Sequence, residues 1–206
     1  MINVLKLCED SHRISKDKGW LETERSFAGV VALIHSELSE AIEDYRNNRP
    51  ISQIWYDVKC NTGPVIKLSA EELKRAKAGD TAIVSAKPCG VPSELADVII
   101  RIAQHCGTEG RGSALDSHVR VLHGSVVADP RMTFEEMIAY AHLDVSLAFR
   151  SFTKQESFSE VYDHLAATWV LLEGFCKNND INLEAAVIEK QAFNETRPHR
   201  HGGKKI

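Results

Sequence analysis

Phe27-Ala28-Gly29-Val30-Val31-Ala32-Leu33-Ile34-His35-Ser36-Glu37-Leu38-Ser39-Glu40-Ala41-Ile42-Glu43-Asp44-Tyr45 decides the fold class of this chain. Phe27, Val30, Val31, Ile34, Leu38, Ala41 and Tyr45 recur at i, i+3, i+4 and i+7, which predicts one amphipathic helix over Glu22–Tyr45. At about 100° per residue, Glu37, Glu40 and Asp44 fall on one stripe at the edge of the apolar face, and Glu43 falls on the solvent side. Asn47-Asn48-Arg49-Pro50 ends the helix.

A second acidic word, Ser93-Glu94-Leu95-Ala96-Asp97, opens another predicted helix running from Pro92 to about Cys106. Leu95, Val98, Ile99, Ile102 and Cys106 form its apolar face, with Glu94, Asp97 and Arg101 along the edge. Residues three apart on a helix are surface neighbours. Packed face to face, the E-x-x-E and E-x-x-D helices gather Glu37, Glu40, Glu94 and Asp97 into one pocket. Two carboxylates about 5 Å apart repel by roughly 3 kcal/mol at an effective dielectric near 20. Against a total stability of ~5–15 kcal/mol, several such pairs are not held dry and bare. The acids splay into water, take up protons, or share a cation; a hard divalent ion is the functional outcome, and such an ion binds phosphate.

Composition narrows the class. With 206 residues, the length suits a single domain over 1–206, and the formal net charge of −4 argues against a general nucleic-acid binder. The five cysteines, Cys8, Cys60, Cys89, Cys106 and Cys176, form no C-x-x-C, so neither a disulfide framework nor a zinc site is expected, and a reducing cytoplasm is the simplest setting. No apolar run approaches the ~20 residues of a membrane span, and Met1-Ile2-Asn3-Val4-Leu5-Lys6 does not read as a signal peptide.

Between Pro50 and Pro92 the texture changes. Ile54–Val58 and Thr81–Val84 read as short strands, Ser69-Ala70-Glu71-Glu72-Leu73 as a capped helical turn, and Gly63-Pro64, Gly79-Asp80 and Pro88-Cys89-Gly90 as turns. This is an irregular, β-hairpin-like insertion, open to reading as a lid or an arm. Helical patterns resume at Ala114–Leu122, Thr133–Phe152, Phe158–Cys176 and Leu183–Asn194, so the expected class is all-α. The pair over about 133–176 repeats the earlier one: His35-Ser-Glu-Leu-Ser-Glu-Ala-Ile matches His142-Leu-Asp-Val-Ser-Leu-Ala-Phe, and the helix ending at Cys106 matches that ending at Cys176. The acids become Asp144, Leu147, His164 and Ala167, so a degenerate internal repeat is expected in which one half keeps the chemistry.

Each word alone has an ordinary structural reading. E-x-x-E is common on surface helices, Glu94 and Asp97 sit where acids meet a helix dipole, and Asp97 with Arg101 is a standard i, i+4 pair. His35 points away from the acidic stripe, and His199 and His201 lie in a polar tail. Trp55, Tyr56 and Trp169 read as packing. No phosphate-cradling Gly loop and no Ser or Cys nucleophile constellation is present.

Taken together, the words resemble the MazG-like, all-α nucleoside triphosphate pyrophosphohydrolases, which carry E-x-x-E on one helix and E-x-x-D on the next. Glu37, Glu40, Glu94 and Asp97 match in type and spacing, as do Lys18-Gly19-Trp20, Lys190-Gln-Ala-Phe-Asn194 and the tail from Arg197 to Lys205. The match covers roughly 15–106 and 180–206; the stretch between Gly107 and Asn179 is less typical, and the gap between acid words is longer than in compact members.

The resemblance implies a MazG-like helical bundle that cuts a (deoxy)nucleoside triphosphate between its α and β phosphates, releasing a monophosphate and pyrophosphate. It implies Mg²⁺, with Mn²⁺ as a substitute, on Glu37, Glu40, Glu94 and Asp97, with either Glu37 or Glu40 handling the attacking water. Lys190, Arg197, Lys204 and Arg101 are the implied cations for the triphosphate, Asn194 a contact for sugar or base, and Trp20 a neighbour of the base. A homodimer acting in nucleotide-pool housekeeping follows from the same likeness. The neighbouring reading is a dUTP- or modified-dNTP-specific relative; the rival from another class is a non-enzymatic helical binding protein whose acids are only surface.

Overall fold

Asn3 opens the first helix, α1 (Val4–Asp17), its Oδ1 accepting the Lys6 N–H at 3.0 Å. Val4, Leu7, Cys8, Ser11, Ile14 and Ser15 are its buried residues. The sequence reading contains no helix here, although these residues recur at helical spacing. Ser26 then caps α2 (Phe27–Arg46) by accepting the Gly29 N–H at 3.2 Å, so the helix starts at Phe27 rather than Glu22. The computed structural model describes residues 1–47, 49–79, 82–125, 129–155 and 157–202.

The insertion is more ordered than expected. Strand β1 (Trp55–Cys60) pairs antiparallel with β2 (Ile66–Ser69), Trp55 opposite Ser69. Ser69 and Glu72 form a reciprocal capping box at the start of α3 (Ala70–Ala78). Strand β3 (Ile83–Cys89) returns along the other edge of β1, giving the order β2-β1-β3. Thr81, expected to begin that strand, lies outside the described residues. The helical expectation holds in its coarser form: the chain is mostly helical, and the insertion carries a small antiparallel sheet. Four-residue β2 escaped notice because it is short and half-exposed, without a clean alternation.

The sheet hands the chain back at Gly90, whose φ of +107° is open to glycine and strained for other residues. An added Cβ would also strike the Gln53 carbonyl and the Trp55 ring. From there α4 (Val91–Thr108) runs through the centre of the molecule, packed on both α1 and α2. Helix α5 (Gly112–Ser125) follows, then α6 (Phe134–Thr153), α7 (Phe158–Asn178) and α8 (Leu183–Thr196). Helix α6 packs on α7 and α2, and α8 packs on α4 and β3. Tyr56 Oη donates to Glu189 Oε1 at 2.6 Å, fastening the sheet to α8. Ile34, Leu38, Leu95, Ile99, Ile102, Met137, Val145, Leu165 and Trp169 are fully buried in one continuous core. No helix among the described residues is long and apolar enough to cross a membrane.

Helices α2 and α6 meet through two histidines. His35 and His142 stack at 5.0 Å with an interplanar angle of 16°, their Nδ1 atoms 2.7 Å apart. At that distance one Nδ1 donates and the other accepts, so two imidazolium rings are incompatible with the contact. Burial holds both rings below the usual histidine value, and at His142 the neighbouring ring adds to the effect. Neither has a carboxylate within ion-pair distance among the described residues. The unfolded chain therefore binds protons that the folded one refuses. Stability from the neutral pair is complete above the unfolded value and is lost as pH falls through the lower folded one. Between about pH 7 and pH 5 the melting temperature of the wild type should drop more steeply than that of the His35→Gln/His142→Gln double variant. Parallel pH profiles in thermal melts would contradict this account.

Candidate metal centre

The first turn of α4 is fixed from several sides. Asp44 Oδ2 accepts the Gly90 N–H at 2.8 Å, Ser93 Oγ donates to the Pro88 carbonyl at 2.9 Å, and Pro92 sits in the first turn. The third acid of the α2 stripe, Asp44, thus anchors the turn. That anchoring turns Glu94, 2% exposed, inward and places Asp97 one turn further on. Helix α2 presents Glu37, also buried, from across the interface. One oxygen each from Glu37, Glu94 and Asp97 lies within 4.8 Å of the others. That is the span over which carboxylates share one hard cation.

Glu40 is exposed and outside this triad. Its charge is still near enough to push up the carboxyls of both Glu37 and Glu94. Three of the four expected ligands are therefore together, and the fourth stands at their mouth.

Two basic side chains enter the cluster. Lys190 of α8 is 1% exposed; its Nζ lies 2.9 Å from Asp97 Oδ2 and 3.6 Å from Glu94 Oε1, and donates to Ser93 Oγ and the Pro88 carbonyl. Expected as a contact for triphosphate, Lys190 stands inside the acidic cluster instead, fully engaged. Arg101 donates from Nε and one terminal nitrogen to Glu37 Oε1, at 3.1 and 3.0 Å. The anticipated Asp97–Arg101 pair gives way to this cross-helix one, and Asp97 pairs with Lys190 instead.

The electrostatics remain unbalanced. Burial, opposed by Lys190 and reinforced by Asp97, pushes the Glu94 carboxyl up to about 7. Burial and Asp97 likewise raise Glu37, with Arg101 pulling the other way. Glu94 Oε2 is buried with no hydrogen-bond partner. A buried orphan oxygen in a cluster of raised carboxyls suits a further cation or proton. The residues present thus fit a hard divalent ion.

A narrow polar cleft opens beside the triad. Asp97, Arg101, Trp20, Asn194 and Arg197, all expected site residues, line it together with Ser15 and Gln191. Arg197 lies 5.9 Å from the Trp20 ring centre, and Asn194, 5% exposed, has a buried Oδ1 without a partner. The chain folds back here: the Arg200 N–H donates to the Lys18 carbonyl, and His199 and Arg200 pair with Glu22 at 2.8 and 3.0 Å. The polar tail is docked over the Lys18–Trp20 turn. Lys204 lies outside the described residues.

Comparison with protein-family models, curated proteins and solved structures returns no match to this chain. The site is therefore read on its own chemistry. It sets an acidic triad beside a cleft that holds an aromatic ring and two half-buried guanidiniums. Gln104 and Gln191 line that cleft too and were absent from the sequence reading, since neither belongs to a charged word. Their only sequence signal is a polar residue on an otherwise apolar helix face.

Proposed function

We propose that this protein is a divalent-metal-dependent hydrolase of nucleoside triphosphates, cutting between the α and β phosphates to give a monophosphate and pyrophosphate. The observation that carries the reading is the triad within 4.8 Å beside a cleft walled by Trp20, Arg101 and Arg197. It agrees with the MazG-like likeness of the same residues.

Glu37, Glu94 and Asp97 would hold Mg²⁺, and bound there the ion supplies a polarised phosphate and a more acidic water. Glu40 is the better base of the two glutamates, because it stands at the mouth while Arg101 already engages Glu37. Arg101 and Arg197 neutralise phosphate oxygens, and Asn194 Oδ1 orients a sugar or base donor. A panel of nucleoside triphosphates with Mg²⁺, read by product identity, tests this. Monophosphate and pyrophosphate are expected; release of single phosphates, or no metal dependence, would overturn it.

The degenerate repeat belongs to the same reading, and contacts related by an offset of 107 residues between α2 and α6, and of 70 between His105 of α4 and Phe175 of α7 (175 − 105), support it. Phe27 meets Phe152 at 4.9 Å and His105 at 4.9 Å. With the halves exchanged, Phe134 meets Tyr45 at 4.5 Å and Phe175 at 6.1 Å. His35–His142 maps onto itself, as a pair lying on a local twofold axis must. Where the first half has acids, the second has Asp144, Leu147, His164 and Ala167, with His164 Nδ1 3.8 Å from Asp144 Oδ1. One half carries the chemistry and the other completes the bundle.

A further inference from the structure

A second cavity, of about 200 Å³, opens on the other side of Arg101. Arg25, Arg101, Gln104 and His105 form its polar wall, and Leu21 and Val30 its apolar one. Glu24 and Glu109 also line it, but both are exposed and belong to its rim. Arg25 arrives just before the Ser26 cap of α2, its stem laid across the first turn at Gly29, where an added Cβ would sit 3.1 Å from Arg25 Cγ.

Arg25 is unusual in this molecule. Its Nε is buried without a hydrogen-bond acceptor, and it forms no ion pair among the described residues. Burial and the neighbouring Arg101 charge both disfavour its cationic form. A guanidinium does not shed its proton under such pressure, so Arg25 lacks an anion. Arg101 already reaches from this cavity to Glu37 in the acidic triad.

We propose that this cavity binds a phosphate-type oxyanion between Arg25 and Arg101. The planar forks of the two side chains suit tetrahedral phosphate oxygens, and Gln104 and His105 add polar contacts. Identifying the occupant as the β,γ-diphosphate of the nucleotide, leaving as pyrophosphate, rests on the proposed hydrolysis. The trapped base would then lie in the Trp20–Asn194 cleft, with the scissile bond at the triad between the two.

Pyrophosphate titrated calorimetrically into intact protein, once with Mg²⁺ and once with EDTA, tests the site. Wild type should bind in at least one arm, Arg25→Gln at least tenfold more weakly in that arm, and Arg25→Lys should recover part of the loss. Phenylglyoxal labelling of Arg25 in the wild type, mapped by mass spectrometry, gives a readout without a substitution, and pyrophosphate should slow it. Equal affinity of wild type and Arg25→Gln, no binding in either arm, or no protection of Arg25 would overturn the proposal. Arg25-dependent binding without triphosphate hydrolysis would sink the enzyme reading and leave the anion site standing. Hydrolysis without Arg25-dependent binding would do the reverse.

Discussion

Glu94→Gln should lower Mg²⁺-dependent pyrophosphate release by about a thousandfold or more, because a lost ligand removes several kcal/mol of charge stabilisation at about 1.4 kcal/mol per tenfold. The amide keeps the shape of the carboxylate, so the fold should survive; burying a neutral group at a site where burial already pushes the acid up to about 7 even favours the folded state. Asp97→Asn should behave alike in rate, since its oxygen belongs to the same triad. Glu43→Gln, on the exposed outer side of α2, is the control and should change little. Steady-state rates with each nucleotide, alongside melting curves, separate loss of chemistry from loss of fold. An active Glu94→Gln enzyme would remove the triad from the mechanism.

Lys190→Met should have the largest effect on stability. The methionine fills similar space but leaves Glu94 and Asp97 without the ammonium that lies 3.6 and 2.9 Å away. Removing one member of a buried ionic cluster costs about 3–5 kcal/mol. Urea unfolding in EDTA at neutral pH should show that loss. Two conditions should restore part of it: Mg²⁺, which supplies the missing positive charge, and acid, which protonates Glu94, whose value rises further without Lys190. The proposed ion and the lysine thus act on the same oxygens, and the recovery measures their overlap. A variant as stable as wild type in EDTA would show that the acids need no counter-charge from α8.

What the sequence made legible was local. The acidic stripe of α2, the Glu94–Asp97 turn and the Ser69–Glu72 box depend on residues three or four apart, whose geometry a helix dictates. Illegible features depended on distance. Arg101 had a partner at i−4 in the sequence and a more deeply buried one across the interface, and only the packing of α2 on α4 decides between them. Lys190 was expected to meet the triphosphate, because nothing nearby in sequence reveals that α8 lies over Ser93 and Pro88. The burial of Ser11 and Ser15 in α1 also depends on distance for the first of them: Gln191 Nε2 donates to Ser11, and Ser15 donates to a backbone carbonyl. Arg25 was invisible for the opposite reason: its significance is an absent partner.

Ser93 and Lys190 touch although they stand 97 positions apart in the chain. A chain emerging from the ribosome therefore exposes its clustered acids long before α8 is made. Until then water, protons or free ions must screen them, and tight closure around Glu94 waits until α8 is made. Nascent chains stalled ahead of α8 should remain loosely packed at this spot and sensitive to magnesium.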